Sequence, residues 1–378
     1  MGVPIQGKCD AKFEAVKAAF ETNFKQFNEI GASVAITLDG EFVVDLWGGH
    51  LDSAKSDPWQ EDTLVNVWSS TKTMAAMSLL LLADKGEVDL YAPAAKYWPE
   101  FGQNGKDAVE VRTFLSHSAG LSGMDEPVSP EALYDWDWMT RTLAGQAPWW
   151  EPGTQSGYHA LTQGHLIGEI VRRVTGQSIG NFYRQEIAGP LGADFHIGTT
   201  EETDQRVADL FPPDSPVEIE QNDSIASRTF RNPAVNASAA NTRAWRAAEI
   251  PAANGQGNAR AIVRAQTPMA CEGSAFGKAI MSREGTRRIF DKQTTGMDLA
   301  LGIPVVFGMG YGISADPMPL GPNENIAYWG GYGGSVVLID QDARLCFSYV
   351  MNRMEAGLVG DVEQGAAVVA ARRRAIHR

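Results

Sequence analysis

Residues Val67-Trp68-Ser69-Ser70-Thr71-Lys72 run directly into Thr73-Met74-Ala75-Ala76-Met77-Ser78 and then Leu79-Leu80-Leu81-Leu82. This long, mostly apolar run predicts a helix whose first turn carries a serine and a lysine three positions apart. Residues at i and i+3 share one helix face, so Ser69 Oγ and Lys72 Nζ converge. The leucines that follow bury such a helix and hold its first turn rigid and partly desolvated. A lysine withdrawn from water gives up its proton more readily, and a neutral amine can then take the proton of a serine hydroxyl. The helix N-terminus adds unpaired N–H groups and positive potential where an alkoxide or oxyanion would form. Taken alone, the same residues also fit a polar first turn, with Ser69 as cap and Lys72 in solvent. The chemical reading therefore needs partners elsewhere in the chain.

A length of 378 residues allows one large domain, or two that share a site. Hydrophobic residues at 44% and charged residues at 21% suit a soluble globular enzyme. The formal charge of −14 argues against nucleic acid or an anionic membrane as partner and leaves neutral small molecules open. Cys9, Cys271 and Cys346 are far apart and form no C-x-x-C, so neither a disulfide framework nor a zinc site is implied. The N-terminal residues lack the apolar core of a secretory signal. No run reaches the length of a membrane span. The expected address is the cytoplasm.

From about Ala11 to Ile30, the residues Phe13, Val16, Ala19, Phe20, Phe24 and Phe27 recur at helical spacing. Ser33–Leu38 and Phe42–Trp47 then flank Asp39-Gly40, which predicts a β-hairpin. Beyond the Ser69 helix, strand signals fade from about Gly86 to Arg288. Helical stretches at Val111–His117, Pro130–Leu143, Leu161–Thr175 and Ile179–Ile187 alternate there with Gly-, Pro- and Asp-rich loops. The longest loop runs from Gly198 to about Ser227. Strand character returns at Val305–Ile313, Ile326–Trp329, Ser335–Ile339 and Leu345–Met351, and Val362–Arg374 reads as a closing helix. The expectation is an α/β (α+β) protein. An antiparallel sheet built from both chain ends (1–85 and 289–378) is flanked by helices, and a mainly helical domain (86–288) is inserted. Ser69 lies at the cleft between them, a common place for a site.

Several motifs bear on that cleft. Gly176-Gln177-Ser178-Ile179-Gly180 matches G-x-S-x-G, but helical periodicity on both sides denies it the strand-to-helix elbow the motif requires. Ser178 is therefore read as a helix N-cap. Pro152-Gly153 through Tyr158 forms a loop that delivers a tyrosine just before the next helix. A phenol beside a lysine ammonium can have a lowered pKa and shuttle protons; such a tyrosine also serves simply to anchor a loop. Tyr328-Trp329-Gly330-Gly331-Tyr332-Gly333-Gly334-Ser335 enters a strand whose glycines admit close backbone approach, so an N–H there could complete an oxyanion hole. A bulged strand is the alternative. The six histidines show no metal-ligand spacing, no Ser/His/Asp triad can be argued, and no acidic pair suits a glycosidase.

Together these blocks resemble the serine β-lactamases and penicillin-binding proteins, and within that superfamily the family VIII carboxylesterases. The likeness rests on Ser69-Ser70-Thr71-Lys72, Thr113 through Leu121, Pro152-Gly153 through Tyr158, and Trp329-Gly330-Gly331, in that order. The resemblance implies Ser69 as acyl-accepting nucleophile, Lys72 as its base and Tyr158 as second acid/base. It places oxyanion donors at the backbone N–H groups of Ser69 and Tyr332. It also makes Trp329, Gly330 and Gly331 substrate-binding, with no cofactor and no metal. Two positions depart from the class C β-lactamase pattern. Ala160 stands where the amide of Tyr-x-Asn would be, and Trp329 replaces the lysine of Lys-Thr-Gly, as is familiar in family VIII esterases. Losing that cation weakens selection for anionic β-lactams and offers an apolar wall, to which Trp136, Trp138, Trp149 and Trp150 are candidate additions; core packing is their other reading.

The expected activity is hydrolysis of carboxylic esters of small, fairly apolar molecules through an acyl-enzyme on Ser69. Rivals are β-lactam or D-amino-acid peptide hydrolysis, acyl transfer to an alcohol or amine, and non-catalytic binding on the same scaffold.

Overall fold

The computed structural model describes residues 3–317 and 319–359. Side-chain alternation sets its layers. In β2 (Gly31–Leu38), Val34 and Ile36 face one way, while Ser33, Ala35 and Thr37 face the other. Val34 lies opposite Tyr349 in the neighbouring strand. The Tyr349 ring meets Phe20 of α1 (Glu14–Gln26) at 6.2 Å, and its hydroxyl accepts a hydrogen bond from Asn23 Nδ2 at 3.0 Å. On the opposite face, Ser33 Oγ accepts from the Ala259 N–H and Thr37 Oγ1 meets Thr267 Oγ1 at 2.8 Å. These contacts seat the Ala259–Ala270 helix, rich in small residues, flat on the sheet.

Among the described residues, nine strands form one antiparallel sheet. They are β1 (Ile5–Cys9), β2, β3 (Glu41–Gly49), β4 (Thr294–Met297), β5 (Pro304–Phe307), β6 (Gly312–Ile313), β7 (Ile326–Gly330), β8 (Val336–Asp340) and β9 (Leu345–Met351). Their order is β1-β3-β2-β9-β8-β7-β6-β5-β4, so the two chain ends meet where β2 pairs with β9. This is the antiparallel sheet expected from both termini. The β2–β3 turn is Asp39-Gly40, with φ of 51° and 85°, conformations that suit a tight hairpin. Neither β1 nor β4 is foreseen from sequence. β1 is a mostly exposed edge strand, and β4 is exposed over most of its length, so both lack an apolar alternation.

α2 (Thr71–Asp84) is buried at every position from Thr71 to Ala83. A helix apolar on all sides must be enclosed on all sides, and α2 is the axis of the molecule, packed on the Thr162–Thr175 and Ile179–Tyr183 helices. The helix expected at 130–143 divides at Asp135, whose carboxylate caps the Trp136–Gly145 helix at Trp138 N–H, 2.9 Å away. The 111–117 stretch shrinks to the single turn Arg112–Leu115. The division at 86–288 counted the Ala259–Ala270 helix with the helical insert; its packing is on the sheet. The expected 362–374 helix lies outside the described residues. Among those residues no helix is long and apolar enough to cross a membrane.

Candidate active site

The chain enters α2 through an abrupt turn. Trp68 holds a left-handed backbone, with φ of 45°, and its ring is gripped by Trp245 at 5.3 Å and Tyr332 at 5.6 Å. A 3-10 turn, Trp68–Ser70, then feeds α2, and in such a turn residues three apart nearly eclipse. Lys72 Nζ consequently sits 3.2 Å from Ser69 Oγ. The amine also donates to two backbone carbonyls, Ala160 O at 2.7 Å and Ala252 O at 2.9 Å. Among the described residues no carboxylate pairs with it. Burial therefore drives the Lys72 pKa well below the ordinary lysine value.

Tyr158 reaches the same point from the loop before the Thr162–Thr175 helix. Its ring is buried between His117 (4.8 Å) and Trp329 (5.4 Å), with Lys72 Nζ 4.7 Å from its centroid. The phenol oxygen accepts from Trp329 Nε1–H at 3.3 Å, and the hydroxyl is hydrogen-bonded to Ser69. A lowered phenol pKa is one reading of a tyrosine beside a lysine ammonium; the structure reverses it. Burial pushes the phenol up, the hydrogen bonds from Ser69 and Trp329 pull it only partly back, and the Asp298 carboxylate adds to the rise. Burial disfavours the Lys72 ammonium as well, so the lysine does not reverse this rise. Tyr158 thus rests as a protonated acid.

The third wall is the end of β7. Gly331 packs so closely on the Ser69 turn that a Cβ there would lie 2.2 Å from Val67 O and 3.2 Å from Ser69 N. Ser335 Oγ ties the two segments, donating to Val67 O at 2.7 Å and meeting Ser70 Oγ at 2.9 Å. This apposition sets Tyr332 beside Ser69. Among the described residues neither the Ser69 N–H nor the Tyr332 N–H is taken up by a backbone carbonyl.

Ser69 and Tyr158 open onto a cavity of about 160 Å³ whose walls include Ala160, Leu161, Val217, Ile219, Phe230, Pro233, Val235 and Tyr332. Among the described residues, every one that lines it is uncharged. A larger concavity of about 610 Å³ beside Glu131, Trp136 and Arg172 is a surface dip whose lining does not include Ser69, Lys72 or Tyr158.

Three expectations need correction. Trp329 is 3% exposed and does not line the cavity; its ring is sandwiched with Phe307 (5.2 Å) and Tyr158, so it supports the tyrosine from behind. Gly330 pairs with Val336 inside the sheet and Gly331 serves close backbone approach, so neither lines the cavity. Nor do Trp136, Trp138, Trp149 and Trp150. Trp136 donates to Glu169 at 2.8 Å, Trp149 stacks under the Arg228 guanidinium at 3.7 Å, and Trp150 packs on Gly157 and on His159. The apolar wall comes instead from the 217–235 segment, where no periodic signal marked it. Ser178 caps the helix it begins, accepting from Asn181 N–H, and donates to Glu249 at 2.6 Å.

Sequence reasoning also passed over three residues behind Tyr158. His159 Nδ1 faces Gly157 O at 2.6 Å and so carries the ring proton, while Nε2 accepts from Leu121 N–H at 3.1 Å. His117 Nδ1 accepts from His159 N–H at 3.0 Å. Burial holds both imidazoles neutral, His159 down to about 3. Asp298 Oδ1 accepts from Tyr158 N–H at 3.0 Å. His159 follows Tyr158 in sequence, whereas tertiary packing brings His117 and Asp298 to the tyrosine.

A family model described as Beta-lactamase matches residues 20–371. The chain is 34% identical over 373 residues to the Mycobacterium tuberculosis protein named Esterase/beta-lactamase LipL, covering 95% of this chain and 85% of that protein. A crystal structure of a family VIII carboxylesterase superposes with a TM-score of 0.92 at 40% identity, covering 98% of this chain and 100% of the other. EstA from Arthrobacter nitroguajacolicus Rue61a superposes with a TM-score of 0.88 at 30% identity, covering 100% and 99% respectively.

Proposed function

The chain belongs to the beta-lactamase family, and on that premise we propose that it is a serine carboxylesterase acting through an acyl-enzyme on Ser69. One observation carries the reading: the buried Lys72 amine lies 3.2 Å from Ser69 Oγ, and its other hydrogen bonds among the described residues go to two backbone carbonyls. Two N–H groups of a neutral amine satisfy Ala160 O and Ala252 O, which leaves its lone pair for the serine proton. The names and structures of the similar proteins, a family VIII carboxylesterase among them, support ester hydrolysis as the reaction.

Ser69 Oγ passes its proton to Lys72 Nζ and bonds to the ester carbonyl carbon. The carbonyl oxygen, now negative, is held by the N–H groups of Ser69 and Tyr332 at the positive end of α2. As the carbon–alkoxide bond breaks, the departing alkoxide takes the Tyr158 hydroxyl proton. The phenolate recovers a proton from the Lys72 ammonium, resetting both groups. Water repeats the sequence on the acyl-enzyme, its proton going to Lys72, and the acid leaves as Ser69 regains its own.

The uncharged cavity favours neutral, apolar acyl groups over anionic ones, and the overall charge of −14 acts in the same direction. A fluorophosphonate probe tests the proposal by mass spectrometry. It should label Ser69 stoichiometrically, and Ser69→Ala should neither label nor turn over a short-chain aryl ester while keeping its melting temperature. Full turnover by Ser69→Ala ends the proposal. Parallel rates on a chromogenic cephalosporin and a D-Ala-D-Ala peptide, and product analysis with an added alcohol, rank the rival acyl chemistries.

A further inference from the structure

The Asp298 carboxylate is buried, 1% exposed, in the turn between β4 and β5. Its Oδ1 gathers three backbone donors: Tyr158 N–H at 3.0 Å, Ala300 N–H at 2.9 Å and Leu301 N–H at 2.9 Å. Two of these come from its own turn and close it. The third belongs to the residue that carries the acid, 140 positions earlier in sequence. A second tie runs beside it, from Leu299 N–H to Ser156 O at 2.9 Å. The Tyr158 loop is otherwise fastened on its far side, where Gly157 N–H donates to His117 O and His159 N–H donates to His117 Nδ1. The backbone on either side of Tyr158 is thus held by His117, and that of Tyr158 itself by Asp298.

The cost of burying a carboxylate needs a compensating return. Here Oδ2 has no hydrogen-bond partner among the described residues, so the side chain is not simply solvated by its fold. A carboxylate kept dry and half-satisfied is unfavourable for stability alone. What it secures is the place of one tyrosine, whose phenol must reach both Ser69 and a leaving group. A shift of about 1 Å in such a group costs on the order of a hundredfold in rate.

Resting on the esterase reading above, we propose that Asp298 is a positioning residue for general-acid catalysis, holding Tyr158 where its phenol can protonate the leaving alkoxide. The role acts through the hydrogen bond from Tyr158 N–H to an oxygen at position 298, so an amide should replace the carboxylate. It also predicts a signature that loss of folded protein would not produce. An alkyl ester expels a basic alkoxide and needs the proton; a p-nitrophenyl ester of the same acid expels a stable anion and does not.

The experiment compares kcat/KM, which reports the acylation step in which the leaving group departs, on these two esters for wild type, Asp298→Ala and Asp298→Asn, each normalised to fluorophosphonate-labelled Ser69. In Asp298→Ala the ratio of aryl to alkyl rate should rise at least ~10-fold, within the range a general acid supplies, while Asp298→Asn stays within ~3-fold of wild type because its Oδ1 still accepts the same N–H groups. Asp298→Ser, too short to reach Tyr158 N–H, substitutes for the alanine variant if that one does not fold and should behave alike. An unchanged ratio in Asp298→Ala or Asp298→Ser overturns the proposal. So does an Asp298→Asn ratio as high as that of alanine, which would assign the effect to charge. Failure of wild type to label at Ser69 instead removes the esterase reading, and this proposal with it.

Discussion

Lys72 Nζ lies 3.2 Å from Ser69 Oγ, and its remaining hydrogen bonds go to Ala160 O and Ala252 O. An ion pair would have kept this lysine charged and useless as a base. Two carbonyls hold the amine in place but supply no negative charge to pair with an ammonium, and burial favours the unprotonated form. On the mechanism proposed above, Ser69 is thus activated by desolvation.

Removing that amine while keeping its shape tests the base directly. Lys72→Met should lower kcat on a short-chain aryl ester by ~10²–10⁴-fold, the range of general-base contributions. In wild type the rising limb of kcat/KM against pH, which reports formation of the neutral amine, should fall well below the ordinary lysine value of 10.5. A limb near that value contradicts the burial argument.

Tyr158→Phe removes the acid but leaves the aromatic packing against His117 and Trp329 intact. Loss of rate should be larger on an alkyl ester than on the p-nitrophenyl ester of the same acid, by ~10-fold or more. Equal losses on the two substrates would remove Tyr158 from leaving-group protonation.

Gly331→Ala introduces a methyl group 2.2 Å from Val67 O and 2.4 Å from Ser335 Oγ. The β7 end must retreat from the Ser69 turn, taking the Tyr332 N–H with it. Loss of one oxyanion donor predicts a fall in kcat of ~10²–10³-fold with a lowered melting temperature. Wild-type kcat in this variant would show that the close approach is dispensable.

Acid should unfold the protein through its buried imidazoles. The His159 pKa is lowered from 6.5 to about 3 by burial, and that of His117 is also lowered. The unfolded chain therefore binds more protons across this window, so stability present above about pH 6.5 is lost as the pH falls toward about 3. In denaturant titrations His159→Gln should reduce the slope of stability against pH in that window by up to ~1.4 kcal/mol per pH unit, one proton's worth. An unchanged slope would show that the ring is not a buried neutral group.

The cavity wall sets a limit on the acyl group. Phe230→Ala enlarges the cavity on the side of the 217–235 segment and should move the optimum in a series of p-nitrophenyl esters toward longer chains. An unmoved optimum would place the acyl chain elsewhere.

The primary structure was enough to place the central helix, because Leu79–Leu82 and the residues before them offer no polar face and must be enclosed. It was enough, too, for the Asp39-Gly40 hairpin and the late strands, where alternation and turn chemistry are local properties. The convergence of Ser69 and Lys72 is likewise local, a consequence of three-residue spacing in a helical turn. Other features depend on surfaces from distant segments. The direction of the Tyr158 pKa follows from how deeply its ring is enclosed and from the Asp298 carboxylate near it, neither of which spacing encodes. Trp329 reads as a pocket wall in one dimension; in three it stands behind the tyrosine, because the outer face of β7 at that position meets Phe307 and His117. The true wall at 217–235 and the Asp298 clamp carry no periodic mark, since loops are positioned by what they touch and not by their own repeat. Short-range geometry, in other words, is written residue by residue, whereas desolvation and cavity shape exist only once remote parts of the chain have closed around the same point.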